Sequence, residues 1–349
     1  MATVHKLDPL KDHRWQAFIE RHPDGSVFHT TAWLEALHRT YGFKPVAFTT
    51  SPPTGELANG LLFCRVSSWL TSQRMVSLPF SDHCQPLCTS EESGFMARYL
   101  QCELDHQNWK YLEVRPLVGG LAQTGNYTGF QAIAKYYIHR MDLRHNLSDL
   151  FQTLDKDSIQ RRVRRAERSG LVEKCGRSEK LLQDFFRLSV LTRRRHRLPP
   201  QPYVWFQNLI QCFGDALEIR AAYKGDIPVA AILTLRFKDV AYYKYGSSDA
   251  KFHYLGPMPF LLWNAIVEAK SRGATLFDFG RTDPVDMGLM AFKNKWVQEP
   301  WPLVYWKFPT SPEDATRFEW KVNFFKRVFS YTPNRLLTLA GRLIYPHIG

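Results

Sequence analysis

The apolar residues of this chain switch repeatedly between a helical period and a strand period, and this switching constrains the fold more than any other feature. Helical spacing is predicted over Arg14–Arg21 and about Ala32–Tyr41, where Trp33, Ala36 and Leu37 share a face and Gly42 supplies a stop. Strand-like runs follow at Pro45–Thr49, Gly60–Val66 and Met75–Leu78, and Pro79–Pro86 reads as a loop. A helix over Glu91–Asp105 and strands at Tyr111–Val114 and Tyr136–Asp142 complete this set. The pattern restarts near Asn146–Asp149. It then gives helices at Ser158–Ser169, Glu179–Arg194 and Tyr203–Phe213, and strands at Leu217–Tyr223, Val229–Phe237 and Val240–Ser247. Gly225-Asp226 is a hairpin signal between the first two of these strands. A helix over Met258–Arg272, a strand at Leu276–Phe279 and a last strand near Leu303–Lys307 close the series. Hairpin-linked strands mixed with helices, occurring twice, point to two α+β domains rather than one doubly wound sheet.

The length of 349 residues fits two domains, with 44% hydrophobic and 23% charged residues, which excludes a disordered or collagen-like chain. No apolar run approaches the roughly 18 residues of a membrane span. The start, Met1 to Pro9, has no basic end followed by an apolar stretch, and the six cysteines are too sparse for a disulfide scaffold. The expected location is therefore cytoplasmic, with the inner face of the membrane open to it.

The charge is uneven. Of the net +13, the segment Lys156–Leu198 carries 14 basic and five acidic residues, and Arg317–Gly349 carries six basic and one acidic. The remainder is close to neutral. Two basic segments on a neutral body fit an anionic partner met at defined places, or a solvated helix face that serves solubility.

Several chemistries lack their signatures. There is no Gly-x-Ser-x-Gly elbow, no His-Glu-x-x-His and no Gly-x-x-x-x-Gly-Lys loop. His83, Cys84 and Cys88 have no second ligand pair at metal spacing, so no metal is expected. The strongest constellation is Leu276-Phe-Asp-Phe-Gly-Arg-Thr-Asp283 followed by Gly288-Leu-Met-Ala-Phe-Lys-Asn-Lys-Trp296. It reads as a strand that ends in glycine, a polar loop and a Phe292-Lys293 step. Gly280 permits close backbone approach, and Lys293 offers a point charge to a phosphate or a developing oxyanion. The same run is also compatible with a core phenylalanine next to a surface lysine.

Three further stretches occur in order with it: Ser158-Ile-Gln-Arg-Arg-Val-Arg-Arg-Ala-Glu-Arg-Ser-Gly170, Thr192-Arg-Arg-Arg-His196 before Tyr203, and Tyr242-Tyr-Lys-Tyr-Gly-Ser-Ser-Asp249. This order resembles the FemAB/FemX family and the broader CelD-type acyltransferases, over about Asp149–Trp296 and more weakly around Trp33 and Ser77–Ser81. The resemblance implies an α+β fold of two tandem GNAT-like domains with mixed sheets, here over 1–145 and 146–316, with a basic aromatic tail over 317–349. It implies transfer of an acyl or aminoacyl group to an amine of a cell-envelope precursor, a peptidoglycan or exopolysaccharide intermediate. By the same resemblance, Arg195 stands at a precursor-phosphate contact and Tyr203 at a family tyrosine. Tyr243 and Tyr245 fall in the strand that lines the second-domain channel, and Phe292 and Lys293 match the step on the donor side. Two positions depart from the bridge-forming members: Leu37 replaces a lysine, and Arg115-Pro116 replaces Asp-Pro. The donor stays open between acyl-CoA and aminoacyl-tRNA, because the usual acetyl-CoA pyrophosphate loop is missing.

Acyl transfer to an amine needs a free amine, a polarised carbonyl and a path for the proton. Glu113 is a candidate base, in competition with a salt bridge to Arg115, and Asp278 is a candidate to orient substrate. Lys293 completes the catalytic set. Arg161 and Arg165 are placed to hold donor phosphates. The expected partners are an anionic small-molecule or lipid-linked precursor and, in one reading, tRNA. The tail, with Trp320, Phe324, Lys326 and the apolar run Leu336–Tyr345, is suited to peripheral membrane contact as well as to packing on the second domain. A different class remains open: a nucleic-acid-binding protein that tracks phosphates with Arg161–Arg168 and does no catalysis.

Overall fold

The computed structural model describes residues 3–69, 71–117, 129–310 and 333–348. The chain forms two compact units. One runs to Lys135 and takes in residues 303–310 and 342–348; the other spans Tyr136–Pro302 with residues 333–341.

The first unit contains β1 (His5–Leu7), α1 (Arg14–Arg21), α2 (Thr31–Tyr41), β2 (Lys44–Thr49), β3 (Leu61–Ser68), β4 (Ser72–Ser77), α3 (Ser90–His106) and β5 (Leu112–Val114). Thr30 caps α2 by accepting the Trp33 N–H, and Gly42 ends the helix at φ +71°. Trp33, Ala36 and Leu37 are fully buried, as their spacing predicts. Sheet order in this unit is β1-β2-β3-β4-β5, and the late strand β12 (Trp301–Phe308) pairs antiparallel with β5, Trp306 opposite Val114 and Lys307 opposite Glu113. That pairing returns residues after Pro302 to the first unit, whereas the sequence reading kept everything from 146 to 316 in the second. The early boundary also differs: it falls at Lys135, inside β6 (Gln131–Asp142), not at 145.

The second unit contains the remainder of β6, α4 (Leu147–Thr153), α5 (Arg161–Arg168), β7 (Leu171–Gly176), α6 (Glu179–Arg195), α7 (Tyr203–Phe213), β8 (Leu217–Lys224), β9 (Ile227–Phe237), β10 (Val240–Ser248), α8 (Pro257–Ser271), β11 (Leu276–Thr282) and α9 (Met287–Asn294). Its sheet has the order β6-β11-β10-β9-β8-β7, antiparallel except for β10 against β11. The sheet is therefore mixed. One face carries a core of Ala222, Ala230, Ile232 and Phe277 under Val163 and Ala166 of α5 and Leu261, Leu262 and Ile266 of α8. Because side chains alternate along a strand, the intervening residues serve the other face. There Phe185 of α6 and Phe206 of α7 meet edge to face. A last helix, α10 (Asn334–Ile344), follows a segment outside the described residues. Trp320, Phe324 and Lys326 of the tail lie in that segment.

Candidate functional site

The parallel pairing of β10 with β11 covers only Val240–Tyr242 against Leu276–Asp278, yet β10 continues for six residues to Ser248. Within that continuation the register against β9 slips: Tyr243 pairs with Thr234, and Tyr245 with Leu233. Lys244 is the extra residue of a bulge, and a bulge reverses the facing of everything beyond it. Tyr243 packs into the core beneath α8, and burial pushes its phenol pKa up. Tyr245 lies against α7 instead, with its ring 5.3 Å from Phe206 and its hydroxyl 2.9 Å from the Trp205 indole N–H, which donates to it. The two tyrosines do not line one channel wall.

Next to β10, β11 has its own irregularity. Its register against β6 shifts between Asp278 and Arg281, with Gly280 at φ +72°. Asp278 is buried opposite Arg140. Its Oδ2 accepts from Arg140 Nε at 2.9 Å, and its Oδ1 accepts the Gly280 N–H at 2.7 Å. Lys293, only 3% exposed, approaches from α9 and donates to the carbonyls of Gly280 and Arg281 at 2.9 and 3.0 Å. The two residues assigned from sequence as catalytic charges thus hold the β11 bulge. Phe292 packs on the core with its ring edge-on to Trp296 at 6.4 Å. His139 of β6 is fully buried, with Nε2 2.8 Å from Asn294 Oδ1. Burial holds its pKa down, against the hydrogen bond to Asn294, and the Lys293 charge adds to the lowering.

The cations gather at the far end of β10. Arg195, in the last turn of α6, reaches the Ser248 carbonyl at 3.3 Å, beside Thr192, whose hydroxyl accepts the Ser248 N–H at 2.9 Å. Arg165 of α5 donates to the Tyr254 carbonyl at 3.2 Å. Gly256, at φ +78°, closes this loop and starts α8, and a Cβ there would lie 2.6 Å from the Arg162 carbonyl oxygen. Between them His253 shares a 2.8 Å hydrogen bond with Ser248 Oγ. Its pKa is lowered, first by burial and then by the charges of Arg195 and Arg162, against Asp249. Three arginines thus surround the 249–256 loop and the α8 N-terminus, where helix polarity also favours an anion.

Residues 156–294 match the family model described as an acetyltransferase (GNAT) domain. The chain has a FemX-like, GNAT-type fold. It is similar to FemX with a TM-score of 0.66 and 15% identity, over 91% of this chain and 99% of that one. L-PGS from Bacillus licheniformis gives 0.59 and 13% over 92% and 98%. A tandem GNAT protein from the clavulanic acid biosynthesis pathway gives 0.54 and 12% over 89% and 100%. No curated protein matches the sequence. The fold class is α+β with tandem GNAT-like units, as the resemblance implied.

Within the GNAT unit, the remaining sequence candidates separate. Arg161 forms an exposed ion pair with Asp157 at 2.7 Å, away from the arginines of the loop. Tyr203 donates to Glu179 at 2.6 Å, at the start of α6. Arg195 ends that 17-residue helix, about 25 Å along it, so Tyr203 does not join Arg195. Glu113, in the first unit, holds Arg115 in an ion pair at 2.7 Å, which is the alternative weighed against a role as base. The sequence places Arg162 within the Arg161–Arg168 cluster without singling it out, and it gives no reading for His253. The signal for Arg162 was present: with Val163 and Ala166 turned inward, Arg162 and Arg165 are i, i+3 neighbours on one flank of α5.

Proposed function

We propose that the chain transfers an acyl or aminoacyl group from a phosphate-bearing donor, acyl-CoA or aminoacyl-tRNA, to an amine of a cell-envelope precursor. The observation that carries this reading is the grouping of Arg162, Arg165 and Arg195 around the loop that leads from β10 into α8. Guanidinium groups pair with phosphate oxygens in a forked geometry that lysine does not offer. From there, the donor's acyl end runs along β10 beyond Tyr242, where main-chain N–H groups on the side released from β11 are suited to polarise its carbonyl.

The chemistry is an aminolysis. The amine lone pair attacks the acyl carbon, the thioester C–S or ribose ester C–O bond breaks, and the leaving sulfur or oxygen ends with the amine's proton. Asp278 and Lys293 act here by fixing the bulge that shapes β11, and Arg195 by holding the donor. The choice of an envelope acceptor, a peptidoglycan or exopolysaccharide intermediate, follows from the resemblance of the sequence to the FemAB/FemX family.

Mass spectrometry of ligands retained on the purified protein tests this directly. CoA thioesters, or tRNA with an acylated end, are the expected species. Retention of neither, together with no acyl transfer from either donor to amine acceptors, rejects it. The α5 helix offers little to a purely nucleic-acid-binding reading, because its arginines are divided among tasks. Arg161 pairs with Asp157, Arg164 lies over the Phe151 ring at 5.7 Å, and Arg168 bonds the Arg164 carbonyl.

A further inference from the structure

Helix α5 carries charge on both sides of the Val163–Ala166 line that it buries. With about 3.6 residues per turn, Arg162 and Arg165 fall on one flank and Arg164 and Glu167 on the other. The first flank serves the 249–256 loop. The second borders a hollow of about 400 Å³ between α4, α5 and α8, whose other walls include Leu147 and Phe151 of α4 and Trp263 and Val267 of α8. That volume is in the usual range of small-ligand sites. The Phe151 and Trp263 rings stand 4.7 Å apart and tilted by 52°, so together they form an angled aromatic wall, and both are only half-buried. The charges at the rim are unspent. Arg164 lies over the Phe151 ring at 5.7 Å, yet among the described residues its guanidinium makes no hydrogen bond or ion pair, and neither does the Glu167 carboxylate. The two stand at i and i+3 but do not pair with each other, and a cation on the N-terminal side of an anion is the poorer order for such a pair.

We propose that this hollow binds a free α-amino acid with a large apolar or aromatic side chain, of the phenylalanine or leucine type. The ligand's carboxylate pairs with the Arg164 guanidinium, whose forked donors match its two oxygens, and its ammonium pairs with Glu167. The two protein side chains start one helical turn apart, about 5–6 Å between Cβ atoms, which suits the adjacent opposite charges of one zwitterion. The ligand's side chain enters against Phe151 and Trp263, with Leu147 and Val267 beside it, and an aromatic ring there can pack edge-on or offset. A singly charged ligand satisfies only one of the two rim charges. A peptide carries its ammonium and carboxylate on different residues, so the free amino acid fits best. Every wall of the hollow belongs to the second unit, on the flank of α5 turned away from Arg162 and Arg165. The site is therefore separate from the donor arginines and needs neither the donor nor the transfer reaction.

Calorimetric titration of the full chain with phenylalanine, leucine, phenethylamine and 3-phenylpropionate tests it. Phenethylamine lacks the carboxylate, and 3-phenylpropionate lacks the ammonium. The wild type is expected to bind both amino acids, and to bind each analogue about tenfold more weakly than phenylalanine. Arg164→Gln should weaken phenylalanine about tenfold without weakening phenethylamine. Glu167→Gln should weaken phenylalanine by about the same factor without weakening 3-phenylpropionate. Both residues are exposed, so both variants should melt with the wild type. No binding of either amino acid by the wild type up to about 10 mM, or undiminished phenylalanine binding by either variant, overturns the proposal. So does equal binding of phenylalanine and its two analogues, which would make the hollow a site for any aromatic solute.

Discussion

Asp278 and Lys293 grip the same glycine from its two sides. The aspartate accepts the Gly280 N–H and the lysine donates to the Gly280 carbonyl, so a strand residue at φ +72° is held by two charged groups from different elements. Lys293→Ala would leave the carbonyls of Gly280 and Arg281 buried without their donor. The expected cost is about 3 kcal/mol, seen as melting several degrees below wild type. A variant that melts like the wild type while losing transfer would instead make Lys293 a group that acts on the donor.

The bulge at Lys244 makes a second prediction. A Cβ on Gly246 would lie 1.8 Å from the Tyr243 hydroxyl and 2.9 Å from the Met258 methyl. Gly246→Ala must therefore displace Tyr243 from beneath α8, at about 1–3 kcal/mol by the usual scale of overpacking. Tyr245→Phe removes the acceptor of the Trp205 indole, on the opposite face, and should cost about 1 kcal/mol. Denaturant unfolding checks both. Equal losses in the two variants would argue that the tyrosines share one environment.

Arg220 of β8 is almost fully buried among Glu173 at 2.9 Å, Glu218 at 2.8 Å and Glu268. Arg220→Met leaves three carboxylates without their common cation, and the expected loss is about 4 kcal/mol. Arg220 holds the Glu268 carboxyl below its ordinary pKa, even though burial opposes this. The stability tied to that shift is present above the unfolded carboxylate value and lost as pH falls through the folded one. The gap between wild type and variant should accordingly narrow toward pH 4, and urea unfolding across pH measures it. A gap that widens on acidification contradicts the assignment.

His253 reports on the arginines around its loop. Because burial, Arg195 and Arg162 depress its pKa, Arg195→Ala and Arg162→Ala should each move its titration up toward the ordinary histidine value. The sign for stability follows. A depressed histidine favours the folded state above the unfolded pKa and loses that contribution as pH falls toward the folded one. Imidazole chemical shifts followed against pH supply the check, and a pKa that does not rise in either variant removes the cluster.

Much of this architecture is legible in the sequence because local rules decide it. Tyr203–Phe213 and Arg14–Arg21 form helices at the predicted limits, and Gly42 and Gly170 terminate helices with positive φ. The site was harder to read. An inserted residue in a strand leaves no mark in an aromatic run such as Tyr242–Tyr245, so the opposed facing of Tyr243 and Tyr245 depends on pairing with β9. Whether Lys293 is a surface charge or a buried clasp depends on where α9 lies against β11, and the sequence reading had no helix over Met287–Asn294. Arg161 and Arg162 are neighbours in sequence, yet one pairs with Asp157 and the other faces the α8 start, a difference set by rotation about the α5 axis.

The central claim is that three arginines around the 249–256 loop receive the donor's phosphates. Equilibrium binding of CoA and of total tRNA, each measured for the wild type and for Arg162→Ala/Arg165→Ala/Arg195→Ala, tests it most directly. At least one of the two should bind the wild type, and the triple variant should bind it about a hundredfold more weakly, given the usual strength of charge-assisted hydrogen bonds. Binding of neither by the wild type, or undiminished binding by a folded triple variant, would contradict the account.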